Sequence, residues 1–151
     1  MTQHLFVYGT LKQAWRRQKT ALGAASEIIE QLQQQGQYLG EARLRGALYH
    51  LGRYPGLVLN PMGLWSHRCR LAGVSGSEWV YGELWHIEEE LWPLLDRYEG
   101  ADRPPYEYHR LRVSAVMEPG DEPAEAWAYV LNTSRWQGEV PEWIASGRFE
   151  G

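Results

Sequence analysis

Cysteine is almost absent from this chain of 151 residues: Cys69 is the only one, so no internal disulfide can form. That fits a reducing compartment and makes the cytoplasm the expected location. No run of about 18 apolar residues occurs, so no membrane-spanning helix is expected. The N-terminus, MTQHLFVYGT, has no basic segment leading into an apolar one, as a secretion signal would. Neither sign of charge dominates, with 15 Lys and Arg against 19 Asp and Glu. The basic residues are scattered rather than interleaved with aromatics in a stripe, so nucleic acid is not an expected partner.

Several chemistries lack their signatures too. The five histidines (4, 50, 67, 86 and 109) show no paired zinc-site spacing, and His67 with Cys69 makes only two potential ligands. No metal site is therefore expected. There is no Gly-x-Ser-x-Gly elbow. Cys69 lies between Arg68 and Arg70, which could lower a thiol pKa, but no histidine partner is marked for it. Glycine patterns for phosphate loops or dinucleotides are missing, and no cofactor is implied.

What the chain does have is eight tryptophans and nine tyrosines against two phenylalanines. Such a composition suits an aromatic-rich β core with polar ring ends at its rim. His4 to Tyr8 is a β-prone apolar run cut off by Gly9. Leu22 to Gln35 has helical spacing, with Ser26 as a possible cap and Gly36 and Gly40 as its end. Glu41 to Leu59 reads as strand, broken at Tyr54-Pro55-Gly56, and Asn60-Pro61-Met62-Gly63 is a further turn. Glu78 to Ile87 alternates with bulky groups on both faces, as a central strand does. A short helix is expected to start near Glu90, with Pro93 in its first turn and Gly100 closing it. Tyr108–Met117 and Glu125–Leu131 are strands joined by Glu118-Pro119-Gly120-Asp121, and the tail from Asn132, with Trp136 and Trp143, folds back on the core. Short strands with two helices predict an α+β fold, a small β barrel with flanking short helices, in one domain over 1–151.

Two features could carry chemistry. The strand ending Val7-Tyr8-Gly9-Thr10-Leu11-Lys12 turns at a glycine, where successive N–H groups can hold a carboxylate or oxyanion; it reads equally as a plain turn. Glu99, in Leu95-Asp96-Arg97-Tyr98-Glu99-Gly100, shares a helical edge with Trp92 and Leu95. It also stands at the negative end of the helix, so dipole and burial both raise its pKa toward the range of a useful base. The alternative is a solvated last-turn glutamate.

These blocks, together with Gly46-Ala47-Leu48-Tyr49, Leu51-Gly52-Arg53-Tyr54-Pro55-Gly56, Val80-Tyr81-Gly82-Glu83-Leu84-Trp85, Tyr108-His109-Arg110 and Ala126-Trp127-Ala128-Tyr129, resemble in order the γ-glutamylcyclotransferase-like superfamily, in its γ-glutamylamine cyclotransferase and AIG2-like branch. The resemblance spans nearly the whole chain. It implies a mixed barrel with a cavity at its mouth and a small-molecule γ-glutamyl substrate held by Tyr8, Gly9, Thr10 and Leu11. Glu99 matches the family's catalytic glutamate, and Tyr108 its pocket tyrosine. The Ala101–Glu107 stretch looks longer than in the amine-specific enzymes, leaving Tyr106 as a competitor for Tyr108. The implied reaction is attack of the substrate's α-amine on its own δ-carbonyl, releasing 5-oxoproline and an amine; it needs proximity and one proton shuttle, with no metal or cofactor. Alternatives on the same fold are a non-catalytic small-ligand binder and a cyclotransferase acting on a γ-glutamyl-tagged natural-product intermediate.

Overall fold

The structure is a computed structural model that describes residues 3–9, 30–32, 34–52, 54–59, 78–135 and 141–149, without the Arg135 side chain. Eight strands are found among these: β1 (His4–Val7), β2 (Gly36–Arg45), β3 (Ala47–His50), β4 (Pro55–Val58), β5 (Trp79–Ile87), β6 (Tyr108–Met117), β7 (Glu122–Leu131) and β8 (Glu142–Trp143). Helix α1 (Trp92–Tyr98) follows a 3-10 turn at Glu89–Leu91. Residues 30–32, 34 and 35 are helical. The start of the helix expected from Leu22, the turn at Asn60–Gly63, His67, Cys69 and Trp136 lie outside the described residues.

The strands run β1-β5-β2-β6-β7, and β1 pairs again with β7, so five strands close into a barrel. Neighbours are antiparallel except β1 and β7, whose parallel seam registers Leu5 with Trp127. Farther along β7, the partner becomes β4, also parallel, with Leu57 opposite Val130. From there β4, β3 and β8 extend the sheet beyond the barrel. This is the small mixed barrel with flanking helices expected from the sequence.

Period-two alternation sorts the side chains into two layers. Phe6, Ala42, Leu44, Val80, Leu84, Val113, Ala115, Ala126 and Ala128 come from all five barrel strands and fill its interior. Leu5, Val7, Trp85, Ile87, Tyr129 and Leu131 face outward and pack with Leu91, Trp92 and Leu95 around α1. Alanines suit the narrow interior of a five-stranded barrel, so most buried aromatics occupy the outer layer. The aromatic core read from composition is thus located around the barrel more than within it. β5 is buried on both faces through Gly82–Trp85, as a strand between two neighbours should be.

Two boundaries differ from the sequence reading. β2 begins at Gly36, directly after the helical residues, because its first residues pair with Ile87, His86 and Trp85 before a bulge between Tyr38 and Gly40. β7 begins at Glu122, because Met117 and Glu122 pair across the four-residue turn. Pro123 fits there because β1 reaches β7 only at Trp127, leaving the proline on an unpaired edge. The tail does return to the barrel: Phe149 is buried and the Tyr81 N–H donates to the Gly147 carbonyl at 2.8 Å.

Candidate active site

The site forms where β7 changes partner. β1 leaves the parallel seam at Val7 and β4 enters at Pro55, which would strand backbone groups at the junction. Tyr8 fills that gap. Its hydroxyl donates to the Tyr129 carbonyl of β7 and accepts from the Leu57 N–H of β4 at 3.4 Å. Gly9 then turns away against the Pro55 ring; a Cβ there would lie 3.0 Å from the proline Cγ. Tyr108, first residue of β6, is buried on the same side and donates its hydroxyl to the Pro55 carbonyl at 2.7 Å. Strand ends, Pro55 and two phenols thereby make one wall.

Helix α1 supplies the carboxylate. Glu88 opens the segment, Pro93 lies in the first turn where its missing N–H costs nothing, and Leu95 is fully buried against the barrel. Glu99 is the C-terminal cap, its N–H bonded to the Leu95 carbonyl at 3.0 Å. Gly100 follows with φ +66°, the left-handed geometry glycine adopts without strain. The helix thus ends where the sequence places its end.

Residues 101–106 leave and return at one point. The Glu107 N–H donates to the Gly100 carbonyl at 3.0 Å, and the Glu107 carbonyl accepts from the Asn132 N–H at 3.0 Å. Because this loop is closed at its base, its two prolines do not displace β6. It brings the Glu107 carboxylate toward Glu99, held by the Tyr54 hydroxyl at 2.7 Å.

Electrostatics follow from this packing. Glu99 as a residue is half-buried, while its carboxyl is closely surrounded by protein. Loss of hydration, with the nearby charge of Glu107 second, pushes it up from 4.5 to about 8. Burial is also the main cause that raises the Tyr8 and Tyr108 phenols, and the Glu99 charge contributes to both. Both tyrosines therefore stay protonated and cannot serve as bases. Glu99 is left as the titrating group of this wall.

The structure brings Tyr8, Gly9, Glu99 and Tyr108 together, whereas Thr10 and Leu11 lie outside the described residues. Tyr106 is half-buried beside His109, ring centroids 5.4 Å apart, while Tyr108 carries the electrostatic link to Glu99 and Tyr8. Sequence reasoning missed Glu107 and Tyr54; two loop ends far apart in sequence bring them to Glu99, and no local spacing announces that. It also missed Asp96, which accepts from the Tyr129 hydroxyl at 2.7 Å and pairs with Arg110 at 2.9 Å. Among the described residues no group of three His, Cys, Asp or Glu could hold a metal ion, and no helix is long and apolar enough to cross a membrane.

A small closed barrel with a short flanking helix, whose end carries a desolvated carboxylate near Tyr8, is a γ-glutamyl cyclotransferase-like fold. The chain belongs to the family described as "Gamma-glutamyl cyclotransferase, AIG2-like", whose model matches residues 5–151. No curated protein matches the chain. Among solved structures, YkqA from Bacillus subtilis is similar at 23% identity and TM-score 0.61; the match covers 99% of this chain and 40% of that one. This chain therefore spans well under half the length of YkqA. An AIG2-like protein from Mus musculus is 21% identical over 93% of this chain and 85% of that one, with TM-score 0.59. A structure named gamma-glutamyl cyclotransferase is 12% identical over 85% and 66%, with TM-score 0.51. At such identities these likenesses speak for the fold.

Proposed function

We propose that this protein is a γ-glutamyl cyclotransferase that releases 5-oxoproline from a γ-glutamyl amine or γ-glutamyl peptide, with Glu99 as its general acid and base. The observation that carries the reading is the Glu99 carboxyl, raised to about 8 at the end of α1 and facing the wall formed by Tyr8, Gly9 and Tyr108. A γ-glutamyl compound contains its own nucleophile, so the site has to fold the substrate and shuttle protons from the ammonium to the leaving nitrogen. As the family resemblance implies, Tyr8, Gly9, Thr10 and Leu11 hold the γ-glutamyl end of the substrate, where backbone N–H groups suit a carboxylate or a developing oxyanion.

Glu99 accepts a proton from the α-ammonium. The freed amine attacks the δ-carbonyl and a C–N bond closes the five-membered ring; the ring nitrogen gives up its second proton, the bond to the leaving nitrogen breaks as Glu99 returns a proton to it, and the expelled amine departs with the other as an ammonium. A carboxyl near 8 is well matched to an ammonium group for such an exchange. Free in the site, about a tenth of it is ionised at pH 7; a bound ammonium favours the ionised form. The substrate is a free small molecule, and the setting proposed for it is the cytoplasm.

A panel of γ-glutamyl donors (γ-glutamyl-lysine, glutathione and γ-glutamyl dipeptides) assayed for 5-oxoproline tests the proposal. At least one donor is turned over by the native protein and none by Glu99→Gln. Binding of 5-oxoproline without turnover of any donor would instead favour a non-catalytic binder.

A further inference from the structure

One residue touches both halves of this site without belonging to either. The Tyr129 carbonyl accepts from the Tyr8 hydroxyl, at the root of the substrate turn. The hydroxyl of the same Tyr129 donates to Asp96 Oδ1 at 2.7 Å, and Asp96 precedes Glu99 by three residues on α1. We infer that Tyr129 is a positioning residue that ties Tyr8, next after β1, to the helix end bearing Glu99 and so sets the distance between them.

The surroundings of Asp96 are built for a fixed tie. Arg110 stands opposite Tyr129 in the β6–β7 register. It grips Asp96 with two nitrogens, Nε to Oδ1 at 2.9 Å and Nη2 to Oδ2 at 3.3 Å. The guanidinium lies over the Trp92 ring at 4.4 Å and near the Trp127 ring at 5.1 Å, which restricts it to one plane. The Asp96 carbonyl also accepts from the Ala101 N–H at 2.8 Å, joining the tie to the turn that closes the helix. A forked, partly buried ion pair with a phenol completing it is directional, unlike an exposed pair.

Apolar packing of Leu5 and Val7 against Leu91, Trp92 and Leu95 already joins β1 to the helix; the tie adds a directional contact at Asp96, three residues before Glu99. The Glu99 charge is among the causes that raise the Tyr129 phenol, after burial and Asp96, so this hydroxyl is also within electrostatic reach of the carboxylate. Displacing a positioned group by about an ångström can cost a hundredfold in rate. Letting the helix end move would also admit water to Glu99.

This inference rests on the proposed cyclotransferase reading, and Tyr129→Phe separates the two. The ring stays in its buried place while the tie to Asp96 is lost. We expect kcat for 5-oxoproline release to fall roughly 10- to 100-fold, with KM changed less than about threefold. In carbon-13 NMR of labelled glutamate, the Glu99 carboxyl should titrate at lower pH than in the native protein, by about half a pH unit or more as water reaches it. Asp96→Asn should reproduce the loss of kcat, and the double variant should lose little more. A midpoint that stays put or rises in folded Tyr129→Phe overturns the inference whatever kcat does. If Tyr129→Phe does not fold, Asp96→Asn is read by its kcat against its KM, and an unchanged kcat overturns the inference. Absence of 5-oxoproline release by the native protein would instead sink the cyclotransferase reading, and the titration would still decide the tie.

Discussion

Replacing Glu99 by glutamine should make the protein more stable as it becomes inactive, and the gain should depend on pH in a defined direction. The folded state holds the Glu99 proton up to about 8, whereas the unfolded chain releases it near 4.5. Between those values the folded state binds the extra proton, so stability falls as pH rises through this window and levels off above it. At about 1.36 kcal/mol for each tenfold change in proton affinity, the rise from 4.5 to about 8 sets a ceiling of about 5 kcal/mol. Water reaching a half-buried residue reduces that, and on the order of 3 kcal/mol is expected at pH 9. Glutamine keeps the shape and has no charge to desolvate. For a domain of this size, such a difference corresponds to a Tm roughly 6–12 °C above the native protein at pH 9. Melting both proteins from pH 4.5 to 9 is the assay. The curves should nearly meet at the acid end and diverge as pH rises. A constant offset, or a native protein that gains on the variant with pH, would refute the desolvated carboxylate.

The same electrostatics predict the activity profile. Because the base must be ionised, kcat/KM should rise with pH through about 8, and Glu107→Gln, by removing the second cause of that elevation, should move the rise to lower pH. At pH 6.5 that variant should show roughly two- to threefold higher kcat/KM; an unmoved profile would remove Glu107 from the account. Gly82→Ala tests the barrel seam, since a Cβ there would strike the Val7 carbonyl and come within 2.9 Å of Phe6 Cζ. Overpacking between β1 and β5 should cost about 3 kcal/mol in denaturant melts, and a loss below about 1 kcal/mol would show that the seam can yield.

Local signals made much of this architecture legible. Alternation marked β5, and Pro93 with Gly100 bounded the helix segment, because a proline's missing donor and a glycine's positive φ act within a few residues. The start of β2 at Gly36 was less visible, since a bulge, not a turn, lies at Gly40. The switch of β7 from β1 to β4 has no local signature; it depends on where two distant strands end. Glu99 was legible as a helix-end acid with an apolar edge, and family resemblance gave that acid its role. Its neighbours were not legible. Glu107 arrives by closure of a proline-containing loop, and Asp96, Arg110 and Tyr129 meet from three elements, so their partnership exists only after the barrel has closed.

The central claim is that the substrate's own amine, served by Glu99, is the attacking group. The most direct measurement is turnover of an accepted γ-glutamyl donor in water enriched in oxygen-18, with products weighed by mass spectrometry. The account predicts one unlabelled 5-oxoproline for each amine released by the native protein, and neither product from Glu99→Gln. Labelled glutamate as the first product, or undiminished 5-oxoproline release by the variant, would contradict it.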